Sequence, residues 1–260
     1  MRRMNKILRN IILALAPVID IVLAMLAIPA GLILLLYRRI GSGRLPLTTV
    51  GLKRTGIFPV RDHYYEPLFD DRHLTEPLDV PRLLPGIRFD VQRQLALLAD
   101  LHYANEFATF VREQEAKTWD EGFRFPNGSY EAGDADFLFQ VIRHFKPSKV
   151  IEIGSGNSTK VVSHALDLNA MESGKRDRHI CIEPYEQPWL ESFSEIDLVR
   201  DKVEDCGIDW SNILGAGDLL FIDSSHVIRP QGDVLFEYLE ILPQLQSGVV
   251  VHVHDVFSPR

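Results

Sequence analysis

The chain has 260 residues, 46% of them hydrophobic, and a formal net charge of −8. Residues 1–60 hold nine Lys/Arg and one acid, Asp20, for +8, so residues 61–260 carry −16, and a body that acidic excludes nucleic-acid binding through its general field. Two cysteines, Cys181 and Cys206, exclude a disulfide framework and a zinc-ligand spacing, and no internal repeat or low-complexity tract is present.

In chain order, Met1 to Asn10 is basic, with Arg2, Arg3, Lys6 and Arg9. Ile11 to Tyr37 is almost wholly apolar, interrupted by Pro17, Asp20 and Pro29 and closed by Arg38 and Arg39. As a helix, Ile21 to Tyr37 alone spans about 26 Å, close to a bilayer core. A cleaved signal peptide is the rival reading, but the run is too long and the arginine pair reads as a stop. A soluble core helix would not be apolar all round. An acid at that depth wants shelter, which leaves a bent helix or a re-entrant hairpin open around Pro17 and Asp20. Residues 1–40 are therefore expected to be a membrane anchor whose basic flanks lie against anionic lipid head groups. Four Lys/Arg precede the span and five follow it, a balance that leans toward a cytoplasmic catalytic half.

Residues 41–89 form a connector punctuated by Pro46, Pro59, Pro67, Pro77, Pro81 and Pro85. Its cluster Arg61 to Phe69 is too aromatic for a free linker. It reads as a strap packed on the domain, with His63, Tyr64 and Tyr65 as candidates for the wall of an acceptor pocket. Residues 90–124 are expected to form a helical cap in which Asp90 starts one long helix over Val91 to Lys117. The loop F-P-N-G-S-Y-E-A-G-D follows, with Asn127 and Tyr130 as candidate cofactor contacts, then a helix from Ala135 to Phe145.

From Lys149 the pattern changes. K-V-I-E-I reads as a buried parallel strand, Gly154-Ser155-Gly156 as a turn open to left-handed dihedrals, and Asn157, Ser158 and Thr159 as N-cap residues of a helix. Val161, Val162, Ala165 and Leu166 supply that helix with an apolar stripe. Strand, glycine turn and helix N-terminus open a nucleotide-binding α/β sheet, although an empty tight turn looks much the same. The third glycine of the dinucleotide fingerprint is missing, since Ser158 and Thr159 stand where it would fall. Further strands are expected at His179 to Tyr185, within Ile196 to Val203, at Asp218 to Asp223 and at Val249 to Asp255. Helical patterns separate them, one with Val234, Leu235, Tyr238, Leu239 and Leu242 on one side. The expected fold is α/β, a mostly parallel Rossmann-like sheet with helices on both faces. Glu183, at the tip of the second strand, can accept both ribose hydroxyls of an adenosine or remain a solvated carboxylate.

E-I-G-S-G-N-S, the acid after strand two, F-I-D-S-S-H after strand four and H-D after strand five together resemble class I S-adenosylmethionine-dependent methyltransferases. The branch they look most like is that of the metal-dependent macrolide-sugar (mycinamicin-type) O-methyltransferases, over roughly Phe125 to the C-terminus. The resemblance implies that Gly154, Ser155 and Gly156 hold the methionine part of the cofactor, flanked by Asn157 and Ser158. It further implies that Glu152 supports that loop and the cofactor amine, and that Glu183 binds the ribose. D-x-x-H implies Asp223 as a metal and cofactor-site aspartate and His226 as general base. Where that branch carries an acidic pair, this chain has His254-Asp255, so Asp255 alone matches cleanly and His254 is a changed ligand. That fold has two more strands after the fifth, so the α/β domain over 125–260 is expected to be incomplete.

Methyl transfer from a sulfonium is an in-line displacement governed by positioning. An alcohol acceptor needs a base or a Lewis acid at neutral pH. Oxygen ligands favour Mg²⁺, Ca²⁺ or Mn²⁺, and His254 tilts the set toward Mn²⁺ or Fe²⁺. Structural readings stand beside these: His252 as a satisfied interior histidine, His254 facing away from the cleft, His226 capping the next helix, Ser224-Ser225 as turn residues. The resulting expectation is a membrane-anchored O-methyltransferase using S-adenosylmethionine and a divalent cation (Mg or Mn), acting on a small-molecule or glycolipid acceptor. Cytoplasmic supply of S-adenosylmethionine points to a catalytic domain inside the cell. An NAD(P)-binding oxidoreductase and a non-catalytic membrane scaffold are the alternatives.

Overall fold

The computed structural model describes residues 6–57, 59, 76–77, 80, 88–114, 117–118 and 122–256, the side chains of 6–14 and 42 excepted. The strap cluster with His63, Tyr64 and Tyr65 lies outside the described residues. Two compact units part between Pro81 and Arg82.

In the first unit, helix α1 (Lys6–Ile40) runs unbroken through Pro17, Asp20 and Pro29, so the chain does not turn back on itself there. Leu15–Ile40 is long and apolar enough to cross a membrane, and none of its apolar window is buried, the reverse of a core helix. Helix α2 (Pro46–Thr55) starts on its proline and ends at Gly56, whose left-handed φ of +74° glycine adopts without the steric cost of a Cβ. The Tyr37 hydroxyl meets Thr49 Oγ1 at 2.8 Å and ties the two helices.

In the second unit, helices α3 (Val91–Asp100) and α4 (Ala104–Gln114) replace the single helix expected from 91 to 117. Asp90 is the cap, its carboxylate accepting the Arg93 N–H at 3.1 Å. The break comes where Leu101 turns extended and the Tyr103 N–H donates to Gln140 Oε1 at 3.2 Å. A tertiary partner displaces an intrahelical one. There follow α5 (Asp134–Phe145), β1 (Lys149–Ile153), α6 (Asn157–Ser173), β2 (Arg178–Ile182), β3 (Asp197–Val199), α7 (Trp210–Ile213) and β4 (Leu219–Ile222). Then come α8 (Asp233–Phe236), a π turn at Glu237–Ile241, α9 (Leu242–Gln244) and β5 (Val250–Val253).

The five strands make one parallel sheet in the order β3-β2-β1-β4-β5, an α/β Rossmann-like arrangement. Successive strand residues face opposite sides. Val150, Leu219 and Phe221 join Phe139, Val162 and Leu166 from the helices on one face. Ile151, Ile153, Leu220 and Ile222 join Trp210, Leu214 and Ile241 on the other. The α6 stripe of Val161, Val162, Ala165 and Leu166 is fully buried. Arg143 of α5, 2% exposed, bonds Glu106, Asn169 and Glu172 and so joins α4, α5 and α6.

The stripe expected after β4 is not the buried one. Glu237 and Ile241 point inward, while Tyr238 and Leu239 are exposed. The extra residue of a π turn rotates the helix face, and a glutamate takes the interior place of an apolar residue. The strand order reverses between β1 and β4, which is where open α/β sheets bind ligands outside their carboxyl ends.

Candidate active site

The turn after β1 is built by two different glycines. Gly154 has φ +81°, and a Cβ there would lie 1.8 Å from the Asp223 carbonyl oxygen. Glycine lets the loops after β1 and β4 touch, with the Asp223 N–H donating to Ile153 O at 2.8 Å. At Gly156 the nearest atom to an added Cβ is Gln187 Cγ at 3.8 Å, so no protein atom requires glycine there. Gly156, not Asn157, caps α6, and its N–H donates to Thr159 Oγ1 at 3.0 Å.

Glu152 lies under this turn and is fully buried. Its carboxylate accepts from Ser158 Oγ (2.5 Å), Thr159 Oγ1 (2.8 Å) and Cys181 Sγ (3.5 Å), with His179 Nε2 at 3.1 Å. The chain's own donors engage both oxygens, so Glu152 supports the loop from below. Burial first, and the Glu152 charge second, push the Cys181 thiol well up, which keeps it an inert core group. Ser155 is buried, and Asn157 Nδ2 donates to Ser129 Oγ at 2.9 Å, joining α6 to the 125–134 loop.

Beside the turn, at the carboxyl ends of β1, β2 and β4, lies a cleft of about 380 Å³ whose lining includes Gly154, Glu183, Tyr185, Val203 and Asp223. Glu183 Oε1 accepts the Tyr185 and Glu186 N–H groups at 2.9 and 2.8 Å, and among the described residues nothing engages Oε2. A carboxylate that lines the cleft and is held through one oxygen can accept a diol on the other.

Asp223, His226, His254 and Asp255 converge at the tips of β4 and β5, each offering a ligand atom within 4.8 Å of the others. Asp223 Oδ1 is 3.1 Å from His254 Nδ1 and 3.2 Å from His226 Nε2, and Asp255 Oδ2 lies 3.6 and 3.7 Å from the same nitrogens. Burial raises the Asp223 carboxyl, while His254 and His226 pull it back down. His226 and Asp255 both sit in left-handed backbone, φ +57° and +54°. Such conformations in residues with a Cβ persist where the surroundings enforce them, and they cluster at functional sites. Two carboxylates and two imidazoles make a mixed oxygen and nitrogen set suited to a divalent cation. The loop is clamped from α8, where Asp233 accepts the Ser225 N–H at 2.8 Å and Ser225 Oγ at 2.7 Å.

His254, buried, turns toward the cluster and not away from it. His252 is half-buried between Phe137 and Phe221, and burial pushes it down to about 4. Its Nδ1 has no hydrogen-bond partner among the described residues, so it is not the satisfied histidine expected. Tyr130 is not at the cleft. It lies under His254 at 5.0 Å, its hydroxyl pushed far up by burial and by Glu152, Asp134 and Asp223. Asn127 holds its own loop, accepting the Tyr130 N–H at 2.8 Å and donating to Tyr130 O at 2.7 Å. Glu237 was not foreseen. Ser224 Oγ donates to its Oε2 at 3.1 Å, Oε1 is buried without a partner among the described residues, and burial pushes the carboxyl up to about 7. Lys160 was also missed; it is buried, donates to Gly122 O at 2.9 Å and sits 4.2 Å over the Trp189 ring.

Residues 151–256, from β1 to just past β5, match a family model described as a methyltransferase domain. An uncharacterized protein of Archaeoglobus fulgidus is 29% identical over 92 residues, which cover 34% of this chain and 40% of that protein. No solved structure matches.

Proposed function

We propose that this chain is a membrane-anchored, S-adenosylmethionine-dependent O-methyltransferase of the macrolide-sugar type, assisted by a divalent cation. Asp223, His254 and Asp255 would hold the cation, and His226 would serve as general base. The observation that carries this reading is the convergence of those four side chains beside a cleft floored by Gly154 and bordered by Glu183. Glu183 binds the ribose hydroxyls through the oxygen its own backbone leaves free. The Gly154–Gly156 turn, braced from below by Glu152, receives the amino-acid end of the donor, with Asn157 and Ser158 at the helix start. Bound S-adenosylmethionine supplies an electrophilic methyl on sulfur; a bound divalent cation lowers the pKa of the acceptor hydroxyl. His226 would take the hydroxyl proton on Nδ1, while Asp223, 3.2 Å from its Nε2, holds the Nε2 hydrogen and stabilises the resulting imidazolium. His254 in place of a carboxylate favours Mn²⁺ over Mg²⁺.

The unburied, apolar Leu15–Ile40 helix supports anchoring of the catalytic unit to a membrane, and the five Lys/Arg after the span against four before it lean toward a cytoplasmic unit. An anchor of this kind suits an acceptor drawn from the membrane, such as a glycolipid, as well as a soluble hydroxyl compound. The test is methyl transfer from labelled S-adenosylmethionine to the lipid and small-molecule fractions of cell extract, by full-length protein in its membranes. The expected result is a labelled product that disappears with EDTA and returns with Mn²⁺. Transfer that persists in Asp223→Ala and His226→Ala proteins would overturn the assignment.

A further inference from the structure

Asp134 has no role in the reading above, and nothing in the sequence around it marks it. It is the first residue of α5, preceded by Gly133 at φ +94°. Its Oδ2 lies 3.6 Å from His254 Nε2. That ring nitrogen is buried and has no hydrogen-bond partner among the described residues. The other ring nitrogen, Nδ1, is the one that faces Asp223 and Asp255. A neutral imidazole carries one proton, so an Nδ1 that offers its lone pair to a cation leaves the proton on Nε2. A buried N–H then needs an acceptor, and the carboxylate paired with it is Asp134.

We propose that Asp134 is a positioning residue whose carboxylate accepts the Nε2 hydrogen of His254 and so aims the Nδ1 lone pair at the space between Asp223 and Asp255. This rests on the cation-site reading of that cluster. Outer partners of this kind fix the tautomer and ring orientation of metal-binding histidines. The Tyr130 ring lies 5.0 Å from the imidazole, and the Tyr130 hydroxyl donates to the Asp134 carbonyl oxygen at 3.2 Å. The Asp134 side chain is 57% exposed, and the positioning role requires it to move from 3.6 Å into hydrogen-bond range of Nε2.

The test is a Mn²⁺ titration, read by the electron-paramagnetic signal of the free ion, on full-length wild type, Asp134→Ala, Asp134→Asn and Asp136→Ala. Asp136 is the control: it is also an acid of the first turn of α5, but it bonds Gln140 Nε2 at 3.0 Å. Asp134→Ala is expected to weaken Mn²⁺ binding about 10–100-fold. Asp134→Asn keeps an acceptor oxygen and loses less, and Asp136→Ala binds as wild type does. Metal-free unfolding temperatures are expected to be alike in the two alanine variants. Equal Mn²⁺ affinity in wild type and Asp134→Ala overturns the positioning role alone. A wild type that binds no Mn²⁺ overturns the cation site, and this role with it. Weakened binding joined to a lower metal-free unfolding temperature than that of Asp136→Ala also overturns it, since a folding fault would then account for the loss.

Discussion

Replacing Gly154 with alanine tests how the two loops of the candidate site are joined. The new Cβ would start 1.8 Å from the Asp223 carbonyl oxygen and 2.7 Å from its carbon, both main-chain atoms that no rotamer change can move. Contacts tighter than about 3 Å force displacement, so the loop after β4 must shift by more than 1 Å. Left-handed backbone costs a residue with a Cβ about 1–2 kcal/mol, and overpacking adds about 1–3 kcal/mol. The expected loss is about 2–5 kcal/mol of stability. Asp223 moves with the loop, and a misplacement of about 1 Å costs on the order of 100-fold in turnover. Gly156→Ala is the contrast, because its Cβ meets no protein atom closer than 3.8 Å. That variant should unfold as wild type does and yet lose affinity for S-adenosylhomocysteine if the ligand lies against the turn. Unfolding followed by tryptophan fluorescence, with calorimetric titration of the same samples, reads both quantities. Equal stability of wild type and Gly154→Ala would refute the close approach.

Other outcomes follow from the same geometry. Glu237 is raised from 4.5 to about 7 by burial, so the folded chain holds its proton where the unfolded chain has released it. That penalty is absent below about pH 4.5, grows as pH rises and is complete above about pH 7, where it amounts to about 3 kcal/mol. Glu237→Gln should therefore stabilise the protein at pH 8 and not at pH 4, as read by urea midpoints; a gain equal at both would contradict the buried acid. His226→Ala should lower turnover about 10²–10⁴-fold while leaving S-adenosylhomocysteine affinity unchanged, measured by product formation and calorimetry. Arg143→Ala should cost about 3 kcal/mol in chemical denaturation, the lower end for a broken buried pair, since Glu106 and Glu172 remain about half exposed. Arg143→Met, which fills the space, should cost less.

The β1–α6 unit was legible because its residues agree at every level: a β-branched strand, two glycines and an apolar helical stripe. The D-x-x-H and H-D tips were legible because strand ends place short polar side chains at a sheet's carboxyl edge whatever the packing behind them. What the sequence hid was tertiary. The chain gives no local sign of breaking at Leu101–Tyr103, since the competing acceptor, Gln140, is thirty-seven residues on. Glu237 hid inside an apolar helical pattern because a π turn changes the period on which the pattern is read. The two glycines look equivalent in sequence, and only the distance to Asp223 separates them. Asp134 reads as a loop acid until His254 is folded against it.

Calorimetric titration of the full-length protein with S-adenosylhomocysteine, and separately with NAD, bears most directly on the carboxyl-edge cleft. S-adenosylhomocysteine should bind and NAD should not, and Glu183→Ala should weaken the former about 10–100-fold through loss of charge-assisted hydrogen bonds to the ribose. Binding of NAD alone, or S-adenosylhomocysteine affinity indifferent to Glu183, would contradict the account.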